Sequence, residues 1–102
     1  MTDKRWKRRE RRVAEVLAGN RSSVQGIKSP DVTTPLYAVE VKDRVALPEW
    51  ITRGLATARG HASDSQIGIL VLHAKGSRDD LVVISMRDFR DHFVSTREKV
   101  KT

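Results

Sequence analysis

Apolar positions along this chain recur in two rhythms. In the first seventeen residues they keep a helical spacing: Trp6, Val13 and Leu17 fall at i, i+7 and i+11, with the acidic Glu10 on the same stripe at i+4 and Ala14 and Val16 beside it. Such positions share one side of a helix. A first helix is therefore expected, capped by Thr2 or Asp3 and ending at Gly19-Asn20. Leu36 to Lys42 changes to a period of two and predicts a strand bounded by Pro35 and Asp43-Arg44. Its pleat puts Tyr37, Val39 and Val41 on one face and Ala38, Glu40 and Lys42 on the other. Shorter strands are expected over Arg21–Gln25 and from Asp31 to Thr34, with Pro35 near the turn. Ile51, Leu55, Ala58 and Ala62 restore the helical rhythm, so a second helix is expected from Pro48 to about Ala62, with Gly54 and Gly60 as points of close packing. Ile67 to His73 is the most apolar run and reads as a buried central strand. Leu81 to Ile84 is the last strand. Ser85 then resembles an N-cap with Asp88 at the third helical position, opening a third helix that packs one apolar edge through Met86, Phe89 and Phe93. The order of elements is that of an α/β fold.

With 102 residues, the chain is expected to form a single domain, 1–102, with a basic N-terminal helix and a frayed tail from Ser95. A chain of this size buries about 65% of its unfolded surface, enough for one core. Charge alters the picture more than size does. Twenty Lys and Arg face thirteen Asp and Glu, for a net charge of +7. Seven of the basic residues (Lys4, Arg5, Lys7, Arg8, Arg9, Arg11 and Arg12) lie in the first twelve positions. A polyanion is the expected partner, with nucleic acid the foremost candidate. The chain has no cysteine, which excludes disulfides and thiolate zinc sites. No apolar run approaches a membrane span of ~20 residues, and the expected location is the cytoplasm. His61, His73 and His92 show no ligand spacing and read as structural. One Tyr, two Phe and two Trp are too few for a base-stacking platform.

Candidate chemistry converges on Ser29 to Arg44. Glu40 and Lys42 stand two residues apart on one strand face, and Asp31 lies upstream where a neighbouring strand or bend can return it beside Glu40. Two carboxylates and an amine on a rigid sheet suit a divalent ion and an attacking water. Glu10 adds a fourth group. On an inward-facing stripe its carboxylate is costly unless paired or metal-bound. Without the rest of the pattern, Glu-X-Lys on a strand is an ordinary salt bridge.

Pro30-Asp31 followed by Glu40-Val41-Lys42 at the end of an apolar strand resembles the PD-(D/E)XK nuclease superfamily. The small size and the Glu10-Arg11 step in the first helix resemble its archaeal and phage-type Holliday-junction resolvases, and the likeness runs from about Trp6 to Phe89. This resemblance implies a small restriction-endonuclease-like domain with a central mixed β-sheet flanked by helices. It also implies a Mg²⁺- or Mn²⁺-dependent endodeoxyribonuclease leaving a 5′-phosphate and a 3′-hydroxyl. Asp31, Glu40 and the Val41 carbonyl match the metal ligands, Glu10 a further acid near the metal, and Lys42 the group that manages the water. Arg21-Ser22 matches an Arg-Ser pair near the site, and Arg8, Arg11, Lys28 and Arg44 are the expected phosphate contacts. Eight residues separate Asp31 from Glu40, a shorter hairpin than the archaeal relatives usually carry.

Two symmetric incisions in a four-way junction require two sites, so a resolvase of this size is expected to be a C2 homodimer on branched DNA. If the chain is phage-encoded, its location is the host cytoplasm. The alternatives are another small nuclease of the superfamily (VRR-NUC-like, nicking or flap) and a non-catalytic basic nucleic-acid-binding module.

Overall fold

Helix α1 covers Arg5–Val16 in a computed structural model of the chain, which describes residues 4–21 and 29–94. Lys4 occupies the N-cap position and its side chain makes no capping bond; the expected caps Thr2 and Asp3 lie outside the described residues. The other end closes as a Schellman motif. The Gly19 amide donates to the Ala14 carbonyl at 2.8 Å and the Ala18 amide to the Glu15 carbonyl at 3.2 Å. The residue that turns left-handed is Ala18, at φ 54°, and not the expected glycine. Gly19 serves a different purpose: a Cβ there would stand 2.6 Å from the Thr33 carbonyl oxygen. Its missing side chain lets the chain leave the helix directly against a strand.

That strand belongs to an antiparallel sheet of order β1-β2-β3, with β1 Asn20–Arg21, β2 Val32–Thr33 and β3 Ala38–Val39. Val32, on the middle strand, is fully buried, and α1 packs on β1 and β2. Glu10, Ala14 and Leu17 are the buried residues of α1 and its C-cap. The expected stripe therefore turns toward Ala14, leaving Val13 half-buried and Trp6 exposed. Of the strand expected over Arg21–Gln25 only Arg21 is among the described residues.

Contacts group the chain into two compact units, Met1–Val45 and Ala46–Thr102. In the second, α2 covers Glu49–His61 with Pro48 at its N-cap position. Ile51, Leu55, Ala58 and Ala62 lie on its half-buried side. Gly54 sits on that side too, so close to Leu70 that a Cβ would lie 3.0 Å from its Cδ1, whereas Gly60 faces open space. Strands β4 Leu70–Leu72 and β5 Leu81–Val83 form an antiparallel pair. The expected central strand is therefore paired with β5 alone among the described residues. Leu70 and Leu72 are half-buried, while Val71 and Val82, opposite each other in the register, are exposed. Ser85 caps α3 (Met86–Phe89) by accepting the Asp88 amide at 3.2 Å, and a π-helical turn, Arg90–Val94, continues it. Phe89 and Phe93 stack there with ring centroids 5.2 Å apart. An Arg59–Asp88 ion pair of 3.4 Å ties α2 to α3. The architecture is mixed α/β with three helices and two small antiparallel sheets. No helix among the described residues is long and apolar enough to cross a membrane.

Candidate functional site

A two-residue turn sets the geometry of the Asp31–Glu40 region. The Thr34 amide donates to the Tyr37 carbonyl at 2.9 Å. The Thr34 hydroxyl oxygen accepts the Leu36 and Tyr37 amides at 3.1 and 2.8 Å. Pro35 and Leu36 are thus the whole loop, consistent with a proline that cannot join a ladder. Beyond the turn, Val32 pairs with Val39 and Thr33 with Ala38. The ladder ends there; continued by one residue, its register would set Asp31 opposite Glu40.

Antiparallel pairs alternate between hydrogen-bonded and non-hydrogen-bonded, the latter with Cα atoms about 4.5 Å apart and side chains closer. Thr34–Tyr37 is hydrogen-bonded, so Asp31–Glu40 falls at a non-hydrogen-bonded position. The next hydrogen-bonded position would set Pro30 against Val41. Proline has no N–H to give, so the Val41 carbonyl lacks the donor the ladder would normally supply. The Val41 amide is served instead by the Asp31 carboxylate, 2.7 Å from its Oδ2. The hairpin in this way joins Asp31 to Val41 directly, with Glu40 the residue between Val41 and the end of the ladder. The Asp31 and Glu40 carboxylates and the Val41 carbonyl are hard oxygen donors of the kind a divalent ion takes; Asp31 Oδ2 here accepts the Val41 amide and Glu40 pairs with Lys42.

Tyr37, Val39 and Val41 are half-buried, whereas Ala38, Glu40 and Lys42 are exposed, matching the expected two faces. Lys42 Nζ stands 3.0 Å from Glu40 Oε2, with both side chains about two-thirds exposed (64% and 67%).

Glu10 lies elsewhere. Its buried carboxylate accepts from Arg21 Nε at 2.7 Å. The same guanidinium lies 6.0 Å from the Trp6 ring centroid. Arg21 is opposite Val32 in the register and so shares its buried, helix-covered face, away from Glu40. The sequence requires a partner or a metal for Glu10 without saying which; the structure supplies Arg21. Among the described residues no group of three or more His, Asp or Glu side chains converges.

Arg8 and Arg11 are exposed on α1. Arg44 is exposed after β3 and donates to the Asp43 carbonyl at 3.3 Å. Ser22 and Lys28 lie outside the described residues.

Sequence reasoning missed Asp43. Its carboxylate is nearly buried and gripped by Arg5, with Nη2 to Oδ1 at 3.0 Å and Nε to Oδ2 at 2.8 Å. Oδ2 receives no aligned hydrogen bond, so the second contact is purely electrostatic. Arg5 also donates to the Arg44 carbonyl at 2.8 Å. One side chain thus fastens the segment after Lys42 to α1. The two partners are 38 residues apart, and no local pattern announces such a pair.

Comparison with protein-family models, curated proteins and solved structures gave no match.

Proposed function

We propose that this chain is a metal-dependent endodeoxyribonuclease of the PD-(D/E)XK type with a restriction-endonuclease-like fold, best read as a Holliday-junction resolvase acting as a homodimer in the cytoplasm. The observation supporting this reading is the Asp31 carboxylate's hold on the Val41 amide, just beyond the Val32–Val39 pair of the hairpin, which makes Asp31 and Glu40 neighbours across its end. Asp31, Glu40 and the Val41 carbonyl are the residues to hold Mg²⁺ or Mn²⁺. Bound there, the ion supplies Lewis-acid stabilisation of a phosphoryl oxygen and an acidified water. Lys42, held on the Glu40 carboxylate, is placed to orient a water or to offset charge on the phosphate. Glu10 contributes through Arg21, which it fixes on β1. Arg8, Arg11, Lys28, Ser22 and Arg44 are proposed to contact backbone phosphate, so that the DNA is recognised by shape with little reading of sequence; Arg21, expected among them, is committed to Glu10 instead.

The exposed, direct Glu40–Lys42 pair also fits a basic binding module without catalysis. Incubation with a labelled four-way junction and a matched linear duplex, in Mg²⁺ and in chelator, separates the readings. Expected are paired symmetric cuts in the junction alone, lost in chelator and in Asp31→Asn. Cutting of both substrates would keep the nuclease site and move the assignment to another enzyme of the superfamily, such as a VRR-NUC-like, nicking or flap nuclease. Binding without cutting in either Mg²⁺ or Mn²⁺ would establish the module.

A further inference from the structure

Arg5, Arg8, Arg9 and Arg12 recur at i, i+3, i+4 and i+7 of α1, centred on the side of the helix away from Glu10 and the sheet. Together they line one open depression of about 410 Å³, with no other residue type in its wall. The first turn carries no acid. Arg5 is engaged by Asp43, whereas Arg9 and Arg12 have no ion pair among the described residues. Like charges at these spacings destabilise a helix on its own, so the Arg9 and Arg12 guanidiniums are most stable against an external anion. The four side chains span eight residues, about 10 Å of helix axis, long enough for more than one phosphate. Guanidinium forks match phosphate oxygens bidentately.

We propose that this outward face of α1 is a phosphodiester-binding strip for a duplex nucleic-acid arm, separate from the segment presented to Asp31 and Glu40. A lipid surface is disfavoured, because a helix lying in a membrane interface needs an apolar face to insert. The buried residues of α1, Glu10 and Ala14, belong to the side that packs on the sheet, and the strip itself is arginine throughout. The strip does not depend on cleavage chemistry.

The test is fluorescence anisotropy of labelled duplex DNA with the full chain, in chelator, across a series of KCl concentrations. Arg9→Ala/Arg12→Ala should reduce the slope of log affinity against log salt by roughly 1.8, two phosphate contacts at about 0.9 each. Arg9→Lys/Arg12→Lys, which keeps the charge, should retain most of the slope. Lys75→Ala/Arg78→Ala removes the same charge from an exposed turn of the second unit and should change the slope by less than half as much. An unchanged slope in Arg9→Ala/Arg12→Ala, or an equal loss in both alanine pairs, would overturn the proposal. Binding is read without metal, so a protein that fails to cut DNA leaves the result interpretable.

Discussion

Pro30 and Asp31 act on Val41 in complementary ways: the proline withholds a ladder donor from its carbonyl and the aspartate takes over its amide. Glu40 and Lys42 stand beside them, yet their exposed pair contributes little to the fold, since such pairs contribute about 0–1 kcal/mol. If they serve chemistry, Glu40→Gln and Lys42→Ala will each abolish metal-dependent cleavage while denaturant melts shift by less than about 1 kcal/mol. Glu10 behaves in the opposite way. Arg21→Ala leaves its carboxylate buried without a partner and should cost about 2–3 kcal/mol, below the 3–5 of a wholly buried pair because Arg21 is partly exposed. Glu10→Gln keeps a hydrogen bond to Arg21 and should cost less, a ranking that urea melts of the two variants will check. The inward position of Glu10 was legible in the spacing from Trp6 to Leu17. Its partner was not, because only the strand register carries Arg21 across the buried face.

Elements were legible where one periodicity ran unbroken. The second helix and the Ser85 cap follow their patterns closely. The strand from Leu36 to Lys42 keeps its two faces, but its ladder is confined to Ala38–Val39 because Pro35 opens the turn and Pro30 removes a donor at the far end. Ile67–Leu72 carries no polar side chain, the pattern of strands covered on both sides, and such a run says nothing about which strand pairs with it. The C-terminus of α1 was misread in detail. Gly19 looked like the left-handed stop, yet Ala18 takes that conformation and Gly19 makes the close approach to Thr33. Ala18→Gly should therefore stabilise the protein by about 0.5–1 kcal/mol. Gly19→Ala should destabilise it by about 2 kcal/mol through the clash with a backbone carbonyl. Thermal melts of the two variants should move in opposite directions.

For the molecule as a whole, the net charge of +7 and the arginine face of α1 speak for a polyanionic partner. Charge was legible from composition, and the Arg5–Arg8–Arg9–Arg12 spacing was there to be read as a strip. The use of Arg5 to hold Asp43 was hidden by the distance between them in sequence. On the proposed reading such charge would favour DNA with or without catalysis, so binding alone cannot distinguish an enzyme from a module. The distinction rests on whether the hairpin holds a divalent ion. The most direct measurement is a Mn²⁺ titration followed by backbone amide NMR, in the native protein and in Asp31→Asn. Paramagnetic broadening centred on Asp31, Glu40 and Val41 in the native protein, lost in Asp31→Asn, is the result a nuclease site predicts. Native spectra in which those amides broaden no more than those of other exposed acidic residues, such as Asp64 and Asp79, would contradict it.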